Sequence, residues 1–200
     1  MIAIIDYGMG NLRSVQKALE ASGAQTQVTQ KADEIRSAQR IVLPGVGAME
    51  PAMDKLTELG LIETIVSEAH KKPFLGICLG FQLMFEASDE GGTVAGLGLL
   101  KGKVKQFRTG KVPQIGWNQL KIVKKDCPLF KGIGEGSFVY FCHSYFVEPK
   151  DKGIIATETE YGINYASSVV QENLFGVQFH PEKSQRIGLE ILKNFTQVRP

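Results

Sequence analysis

The stretch Pro73–Phe85 reads PFLGICLGFQLMF, and its pattern predicts a short buried strand that turns at Cys78 directly into a helix. Gly76 and Gly80 stand two residues before and two residues after Cys78. Residues without a Cβ atom allow the strand and the helix to pass closely. The layout is that of a nucleophile elbow, with Cys in the place of the usual Ser.

The predicted elbow would hold the Cys78 thiol above the sheet, at the first turn of the following helix. The unpaired amides and the dipole at a helix N-terminus favour the thiolate, which is the reactive form of cysteine. A single Cys in an apolar stretch is also common as a small buried hydrophobic residue. A base elsewhere in the chain would decide between the two interpretations.

The composition is that of an ordinary globular domain. The chain has 200 residues, of which 43% are hydrophobic and 22% charged, and its formal net charge is +2. This length predicts one α/β domain spanning 1–200. No run of Lys and Arg residues stands out, so neither nucleic acid nor an anionic membrane is expected as a partner.

The start of the chain and its cysteines suggest a cytoplasmic protein. No apolar run approaches the length needed to cross a bilayer, and the apolar start, Met1–Asp6, is too short for a signal peptide. Cys78, Cys127 and Cys142 are widely spaced, with no C-x-x-C pair. Neither a zinc site nor a disulfide framework is therefore expected, and a reducing compartment fits best.

The first half of the chain alternates apolar runs with amphipathic segments. This alternation predicts a doubly wound α/β fold of the flavodoxin-like kind, with a mostly parallel central sheet flanked by helices. Asn11 stands where it can cap the first helix. The predicted strands are 2–6, 25–29 and 40–43, and the predicted helices are 12–21, 48–59 and 61–71.

The second half differs, because strand-like segments follow one another with turns and little helix between them. It is expected to add an antiparallel or mixed sheet region and to end in one amphipathic helix, 185–197. The predicted strands are 100–107, 117–123, 137–147, 154–159, 166–170 and 174–179.

The candidate base is His180, in the segment His180-Pro181-Glu182 after the last predicted strand. Pro181 restricts His180 to an extended conformation. In an extended chain residues i and i+2 point to the same side, so Glu182 can orient the imidazole while Lys183 leaves on the opposite side. The tripeptide by itself is more typical of a surface turn after a strand, but together with Cys78 it favours a Cys-His-acid triad.

The loop Pro44–Gly47 ends another predicted parallel strand. The carboxyl ends of parallel strands meet at one edge of a sheet, so this loop should lie beside Cys78. Its amides and the amide of Leu79 could donate hydrogen bonds to an oxyanion, although an ordinary strand-to-helix turn fits the residues about equally well. No Lys-Ser or Lys-Thr pair follows, and the loop Gly8–Asn11 lacks the third glycine of a dinucleotide fingerprint, so phosphate and nucleotide binding are disfavoured.

Two further polar residues are candidates for holding a substrate. Gln82 lies one helical turn after Cys78 and faces the same side, and the alternative is an ordinary Gln on a helix surface. His143 alternates with Cys142 and Tyr145 on a predicted strand, and it is either structural or close to the substrate. Without a second pair of ligands, no metal site is expected there.

Two of these segments resemble the triad motifs of class I glutamine amidotransferases. They are GICLGFQ at 76–82 and FHPE at 179–182, and the resemblance covers essentially the whole chain. Further segments are similar to the glutaminase subunits of imidazole glycerol phosphate synthases. These segments are IDYGMGNL at 5–12, PGVG at 44–47, IGWN at 115–118, HSY at 143–145 and PEKS at 181–184.

The resemblance implies the hydrolysis of glutamine to glutamate and ammonia through a thioester intermediate. The ammonia would pass to a separate (β/α)8-barrel cyclase subunit, with which the chain would form a heterodimer. That subunit would make imidazole glycerol phosphate and an aminoimidazole carboxamide ribotide, a step of histidine biosynthesis that also feeds purine synthesis. The family carries no metal or organic cofactor in this subunit.

The resemblance also implies roles for individual residues. Cys78 would be the nucleophile, His180 the acid and base, and Glu182 the residue that orients His180. The oxyanion-binding amides would be those of Leu79, Val46 and Gly47. The positions that hold glutamine would be Gly45, Gln82, Glu90, His143, Ser144 and Tyr145. The positions at the interface with the cyclase would be Asn11, Trp117 and Lys183.

Two alternatives remain open. Other partner-dependent glutaminases, such as that of pyridoxal phosphate synthase, share the Cys and His-Pro-Glu segments, but Lys183-Ser184 and Gly116–Asn118 argue against them. A non-catalytic, flavodoxin-like binding module, in which Cys78 only senses oxidants, belongs to a different class. The intact His180–Glu182 segment disfavours it, and labelling of Cys78 by a glutamine-analogue electrophile would separate the two.

Overall fold

The apolar runs of the first half form parallel strands with helices between them. The computed structural model describes residues 1–199. The strands of this half are β1 (Ile2–Ile5), β2 (Thr26–Thr29), β3 (Arg40–Gly45) and β4 (Phe74–Cys78). The helices are α1 (Leu12–Ala21), α2 (Ala32–Ser37), α3 (Met49–Glu58), α4 (Ile62–Ala69) and α5 (Leu79–Leu83).

The second half consists mainly of strands and ends in a helix. Its strands are β5 (Phe85–Ser88), β6 (Val94–Ala95), β7 (Leu100–Gln106), β8 (Gln114–Gln119), β9 (Lys121–Ile122), β10 (Phe138–His143), β11 (Tyr145–Pro149), β12 (Ile155–Glu160), β13 (Asn164–Gln171) and β14 (Leu174–Val177). The last helix is α6 (Gln185–Gln197). Short 3₁₀ turns cover Pro128–Phe130, Lys152–Ile154 and Pro181–Lys183.

The strands join in a twelve-stranded sheet whose central part is parallel. The order is β2-β1-β3-β4-β14-β13-β11-β7-β5-β6, with β12 paired to β13 and β9 paired to β12. The strands from β2 to β14 in this order are parallel, whereas β13 pairs antiparallel with its neighbours. β8 and β10 form a separate antiparallel pair. The predicted fold class, a mostly parallel central sheet with an added antiparallel region, is confirmed.

Two apolar layers cover the two faces of the sheet. Successive residues of a strand point to opposite faces, and in β3 the side chains of Ile41 and Leu43 enter one layer while Val42 enters the other. Helices α3 and α4 pack in the layer of Ile41, and helices α1 and α6 pack in the layer of Val42. None of the helices formed by residues 1–199 has the length and apolar character needed to cross a membrane.

The structure differs from the predicted elements in several places, and two of the differences have a clear physical cause. Helix α2 lies where no element was predicted, because a six-residue segment with one buried apolar residue, Ile35, carries little periodic signal. The predicted strand 137–147 is two strands separated by Ser144, of which β10 pairs with β8 and β11 joins the main sheet. The alternation continues across Ser144, so the pattern alone does not reveal that the pairing partner changes.

The turn at Cys78 depends on close backbone packing. Cys78 adopts a φ of 53°, which is uncommon for a residue other than glycine. A Cβ atom on Gly80 would lie 1.8 Å from the carbonyl oxygen of Leu43, and one on Gly76 would lie 2.8 Å from the carbonyl oxygen of Gly80. Both distances are too short for real contacts, so this strand-to-helix turn requires glycine at both positions.

Gly80→Ala should lower the free energy of unfolding by about 3 kcal/mol or more, because the new methyl group overlaps a backbone carbonyl of β3. Gly134→Ala is the control, because its φ is not positive and the nearest atom to a Cβ there is 4.0 Å away. Urea denaturation measures both variants. Equal stability of the Gly80→Ala variant and the wild type would contradict this packing.

Candidate active site

The Cys78 side chain lines a cavity of about 290 Å³ at the carboxyl ends of the central strands. The pairing of β3 with β4 sets Gly45 beside Cys78, and β14 pairs with β4 on its other side. The loop after β3 and the segment after β14 therefore converge on the thiol. The predicted site residues that line the cavity are Val46, Gly47, Cys78, Leu79, Gln82, Glu90, His143, Ser144, Tyr145, His180 and Lys183.

His180 and Glu182 are in direct contact. The distance between His180 Nδ1 and Glu182 Oε1 is 2.8 Å, and both side chains are almost fully buried. An ionised carboxylate can only accept, so Nδ1 carries the hydrogen and Nε2 is left for proton transfer. The contact does not arise from an extended chain, as the sequence argument assumed, because Pro181–Lys183 forms a 3₁₀ turn.

The electrostatic surroundings favour a charged imidazole at His180. Burial by itself lowers the pKa of His180, but hydrogen bonds and charge interactions with Cys78 and Glu182 outweigh burial and raise the pKa from 6.5 to about 10. His180 is thus an imidazolium at neutral pH. A cysteine nucleophile requires such a neighbour, since the positive charge stabilises its thiolate.

Strand β10 anchors the segment that carries His180. The His180 amide donates to the carbonyl of Tyr140 at 2.9 Å, and the Tyr140 amide donates to Ser184 Oγ at 2.9 Å. Ser184 Oγ in turn donates to the His180 carbonyl at 2.7 Å. The position of the imidazole therefore depends on the small sheet formed by β8 and β10.

A buried amide that the sequence analysis missed contacts the thiol. Gln178 is fully buried, and its Nε2 donates to Cys78 Sγ at 3.8 Å. Gln178 Oε1 accepts from Gln82 Nε2 at 3.1 Å, and the same nitrogen of Gln82 donates to the Tyr145 carbonyl at 3.0 Å. Gln178 lies two residues before His180, and residues at this spacing in an extended chain point to the same side. Gln178, like Glu182, could therefore have been placed on the side of His180 from the sequence.

This network limits what Gln82 can offer a ligand. Both bonds of its amide nitrogen go to protein acceptors, Gln178 and Tyr145, so the nitrogen is occupied. The carbonyl oxygen Oε1 remains as an acceptor for a donor in the cavity. Gln82 thus holds the Tyr145 segment against the elbow and presents an acceptor at the same time.

His143 is a neutral, fixed side chain. Its Nδ1 lies 2.7 Å from the Tyr145 carbonyl oxygen, which can only accept, so Nδ1 carries the hydrogen. Burial lowers the pKa of His143 to about 4. His143 is therefore uncharged at neutral pH and is not a second general acid of this site.

Glu90 ties another loop to the cavity. Its Oε2 accepts a hydrogen bond from the amide of Met49, the first residue of α3, at 2.8 Å. This bond brings a carboxylate to the loop that carries Val46 and Gly47. A negative charge at this position suits a ligand with an ammonium group.

The structure corrects the predicted direction of Lys183. Because Pro181–Lys183 is a 3₁₀ turn, Lys183 lines the same cavity as His180 instead of leaving on the opposite side. Its Nζ lies 5.8 Å from the centre of the Tyr140 ring.

Asn11 lies at the start of α1 and is exposed. Its side chain makes no capping hydrogen bond, contrary to the prediction.

Residues 1–199 contain no group of three or more His, Cys, Asp or Glu side chains that could hold a metal ion.

A model of the family "Glutamine amidotransferase class-I" matches residues 3–198. The chain therefore belongs to the class-I glutamine amidotransferases. This family model covers both the elbow and the segment that carries His180 and Glu182.

Two closely similar curated relatives are subunits of one kind of synthase. The chain is 52% identical over 199 residues to "Imidazole glycerol phosphate synthase subunit HisH" of Moorella thermoacetica, covering 98% of this chain and 94% of that protein. It is 52% identical over 195 residues to the HisH subunit of Aquifex aeolicus, covering 96% and 94% of the two chains. The similarity thus extends over nearly the full length of the HisH subunits.

Solved structures share the fold at lower sequence identity. A crystal structure described as glutamine amidotransferase matches with a TM-score of 0.77 at 16% identity, covering 98% of this chain and 100% of that chain. A chain of PurLQS from Thermotoga maritima matches with a TM-score of 0.75 at 24% identity, covering 98% and 95%. These likenesses concern the fold alone.

Glu182→Gln should lower the pKa of His180 well below 10, because it removes the negative charge while the burial that lowers the pKa remains. The pKa is measured by following the His180 ring resonances with pH by NMR. Glu172→Gln is the control, since Glu172 is exposed in the turn between β13 and β14. Overlapping titration curves of His180 in Glu182→Gln and in the wild type would contradict the assigned cause.

Proposed function

We propose that this chain is the glutaminase subunit of an imidazole glycerol phosphate synthase, hydrolysing glutamine to glutamate and ammonia through a Cys78-His180-Glu182 triad. The contact between His180 and Glu182, with the pKa of His180 raised beside the Cys78 thiol, carries this proposal. A family match over 3–198 and HisH relatives about half identical support it. The family match over 3–198 also favours the prediction of a single domain spanning 1–200.

The first step is attack of Cys78 Sγ on the side-chain amide carbon of glutamine. The amide of Leu79 and an amide of the Val46–Gly47 loop stabilise the oxyanion that forms, because both border the thiol in the cavity. A single such donor contributes about 3 kcal/mol to lowering the barrier. Gln178 supports the thiolate from the buried side.

His180 transfers the proton in both halves of the reaction. Its Nε2 gives a proton to the departing ammonia, leaving a thioester on Cys78. The neutral imidazole then takes a proton from water, which attacks the thioester and releases glutamate. Glu182 stabilises the imidazolium form through its 2.8 Å contact at Nδ1.

The cavity provides matching groups for an amino acid. Its volume, about 290 Å³, lies at the small end of ligand pockets. Glu90 supplies negative charge for the α-ammonium group, and Gln82 Oε1 is an acceptor. Gly45 and the backbone of His143, Ser144 and Tyr145 complete the binding surface in this proposal.

The partner would be a (β/α)8-barrel cyclase that docks on the β8–β10 sheet. The relatives' names describe subunits of a synthase, which implies a second subunit. Ile115, Trp117 and Phe138 are large apolar side chains of this sheet that are 62%, 46% and 52% exposed. Exposed apolar clusters of this kind mark interaction surfaces. Lys183 at the cavity and exposed Asn11 would extend the interface, and the ammonia would leave through it.

The proposed reaction requires a reduced thiol and no cofactor. We expect the heterodimer in the cytoplasm, where thiols stay reduced. The ammonia would be used by the cyclase in making imidazole glycerol phosphate and an aminoimidazole carboxamide ribotide. Neither nucleic acid nor a membrane has a role in this chemistry.

Cys78→Ala should reduce glutamine hydrolysis by the complex on the order of 10⁴-fold or more, because the nucleophile is lost. The same complex should still form imidazole glycerol phosphate from ammonium salt, since the cyclase uses ammonia directly. Cys127→Ala is the matched control, because Cys127 is buried among apolar residues and does not line the cavity. Glutamate release and cyclase product are both measured.

Substantial glutaminase turnover by the Cys78→Ala complex would contradict the assigned nucleophile. Labelling of wild-type Cys78 by a glutamine-analogue electrophile separates the proposal from a non-catalytic module. A glutaminase for pyridoxal phosphate synthase would also react with the electrophile, but it would not supply this cyclase with ammonia.

Lys183→Ala should raise the ratio of glutamate released to imidazole glycerol phosphate formed above one, because Lys183 borders the cavity where ammonia leaves for the cyclase. Complex affinity should fall as well, since a partner carboxylate would lose its counter-ion. Lys193→Ala, on the exposed side of α6, is the control. A ratio and an affinity equal to those of the wild type would contradict the interface role.

A further inference from the structure

Tyr7 has a buried hydroxyl that the proposed reaction leaves unexplained. The side chain is 1% exposed, and Oη has no hydrogen-bond partner among residues 1–199. Buried polar atoms are nearly always paired, because an unpaired one has lost its bonds to water without replacement. Tyr7 is the second residue after β1, in the segment IDYGMGNL.

The hydroxyl fills the space beside Gly45. A Cβ atom on Gly45 would lie 2.2 Å from Tyr7 Oη and 3.1 Å from the amide nitrogen of Gly80. Tyr7 Oη therefore lies where the loop after β3 meets the start of α5. Because Gly45 is paired with Cys78 in the sheet, the hydroxyl borders the backbone that leads into the oxyanion loop.

The hydroxyl is suited to donate a hydrogen bond to this backbone. Burial raises the pKa of Tyr7, and the negative charge of Cys78 raises it further, so the hydroxyl keeps its proton at neutral pH. A peptide group is planar, so its N–H and its C=O point in opposite directions. When the Val46 amide turns toward an oxyanion at Cys78, the Gly45 carbonyl turns away from it.

We propose that Tyr7 is a positioning residue, whose hydroxyl donates a hydrogen bond to the Gly45 carbonyl when the Gly45–Val46 peptide presents the Val46 amide to the oxyanion. The inference rests on the proposed glutaminase function. In the structure described Tyr7 Oη is unpaired, so this bond is not made there, and in the proposal it forms when the peptide turns to the productive orientation. An interaction made only there favours that orientation and raises kcat.

Tyr7→Phe removes the oxygen and leaves the ring in place. We expect kcat for glutamine hydrolysis by the complex with its cyclase to fall about three- to tenfold, the effect of one hydrogen bond. KM should stay within about twofold, because the bond does not involve bound substrate. The Tm of the isolated chain should be unchanged or higher, since the variant loses an unpaired polar atom.

Tyr165→Phe is the matched control for stability. Tyr165 is also buried, but its hydroxyl donates to Gln114 Oε1 at 2.9 Å, so its removal should lower the Tm. A Tyr7→Phe complex with the kcat of the wild type would overturn the inference. A Tm loss in Tyr7→Phe as large as that in Tyr165→Phe would also overturn it, since the hydroxyl would then be a structural group.

The Cys78→Ala complex is assayed in the same experiment. It distinguishes a failure of the proposed glutaminase function from a failure of the inference about Tyr7. If Cys78→Ala hydrolyses glutamine like the wild type, the proposed function fails, and the inference about Tyr7 fails with it. If Cys78→Ala is inactive and Tyr7→Phe is as fast as the wild type, only the inference about Tyr7 fails. An inactive Cys78→Ala, together with a slowed and fully stable Tyr7→Phe, supports both.

Discussion

The contact between Gly80 and the carbonyl of Leu43 is the constraint on which the site depends. It lets α5 begin directly above β3, so Cys78 turns out of β4 with a φ of 53°. The sheet register then sets Gly45 beside Cys78 without any side-chain contact. A methyl group at position 80 would separate the helix from the strand and move the thiol away from the loop whose amides border it.

His180 is brought to the Cys78 thiol by the same sheet. Strand β14 is parallel to β4 and adjacent to it, so the segment after β14 ends at the edge where β4 ends. The raised pKa of His180 is a consequence of this arrangement, because burial alone would lower it and only the interactions with Cys78 and Glu182 reverse the direction. The Cys78 thiol and the His180 imidazole thus form a pair that neither segment produces separately.

The sequence predicted those parts of the molecule that depend on local periodicity. The parallel strands, the helix 12–21 and the helix 185–197 follow from apolar spacing, and both helices have the predicted bounds. The pairing of β10 with β8 could not be predicted from local periodicity, because it depends on which distant strand has free backbone N–H and C=O groups. The 3₁₀ turn after His180 was missed for a related reason. Pro181 fixes the conformation of the residue before it, but it leaves open how Glu182 and Lys183 continue.

The β8–β10 sheet joins the exposed apolar face to His180, the proposed base. The main chain of Tyr140 bonds to the His180 amide and to Ser184 Oγ, while its ring lies 6.0 Å from that of Trp117. A protein that binds Trp117 therefore acts on the strand that holds the imidazole.

The unpaired polar atoms add a second argument. Among residues 1–199 the buried side-chain atoms without a hydrogen-bond partner include Tyr7 Oη, which lies beside Gly45, and Glu182 Oε2, whose carboxylate contacts His180. The sheet and its apolar layers hold both groups in place at a cost in free energy. In such a site, all polar atoms find hydrogen-bond partners only in another arrangement of the loops. A ligand or a partner protein that binds this other arrangement more tightly shifts the population toward it.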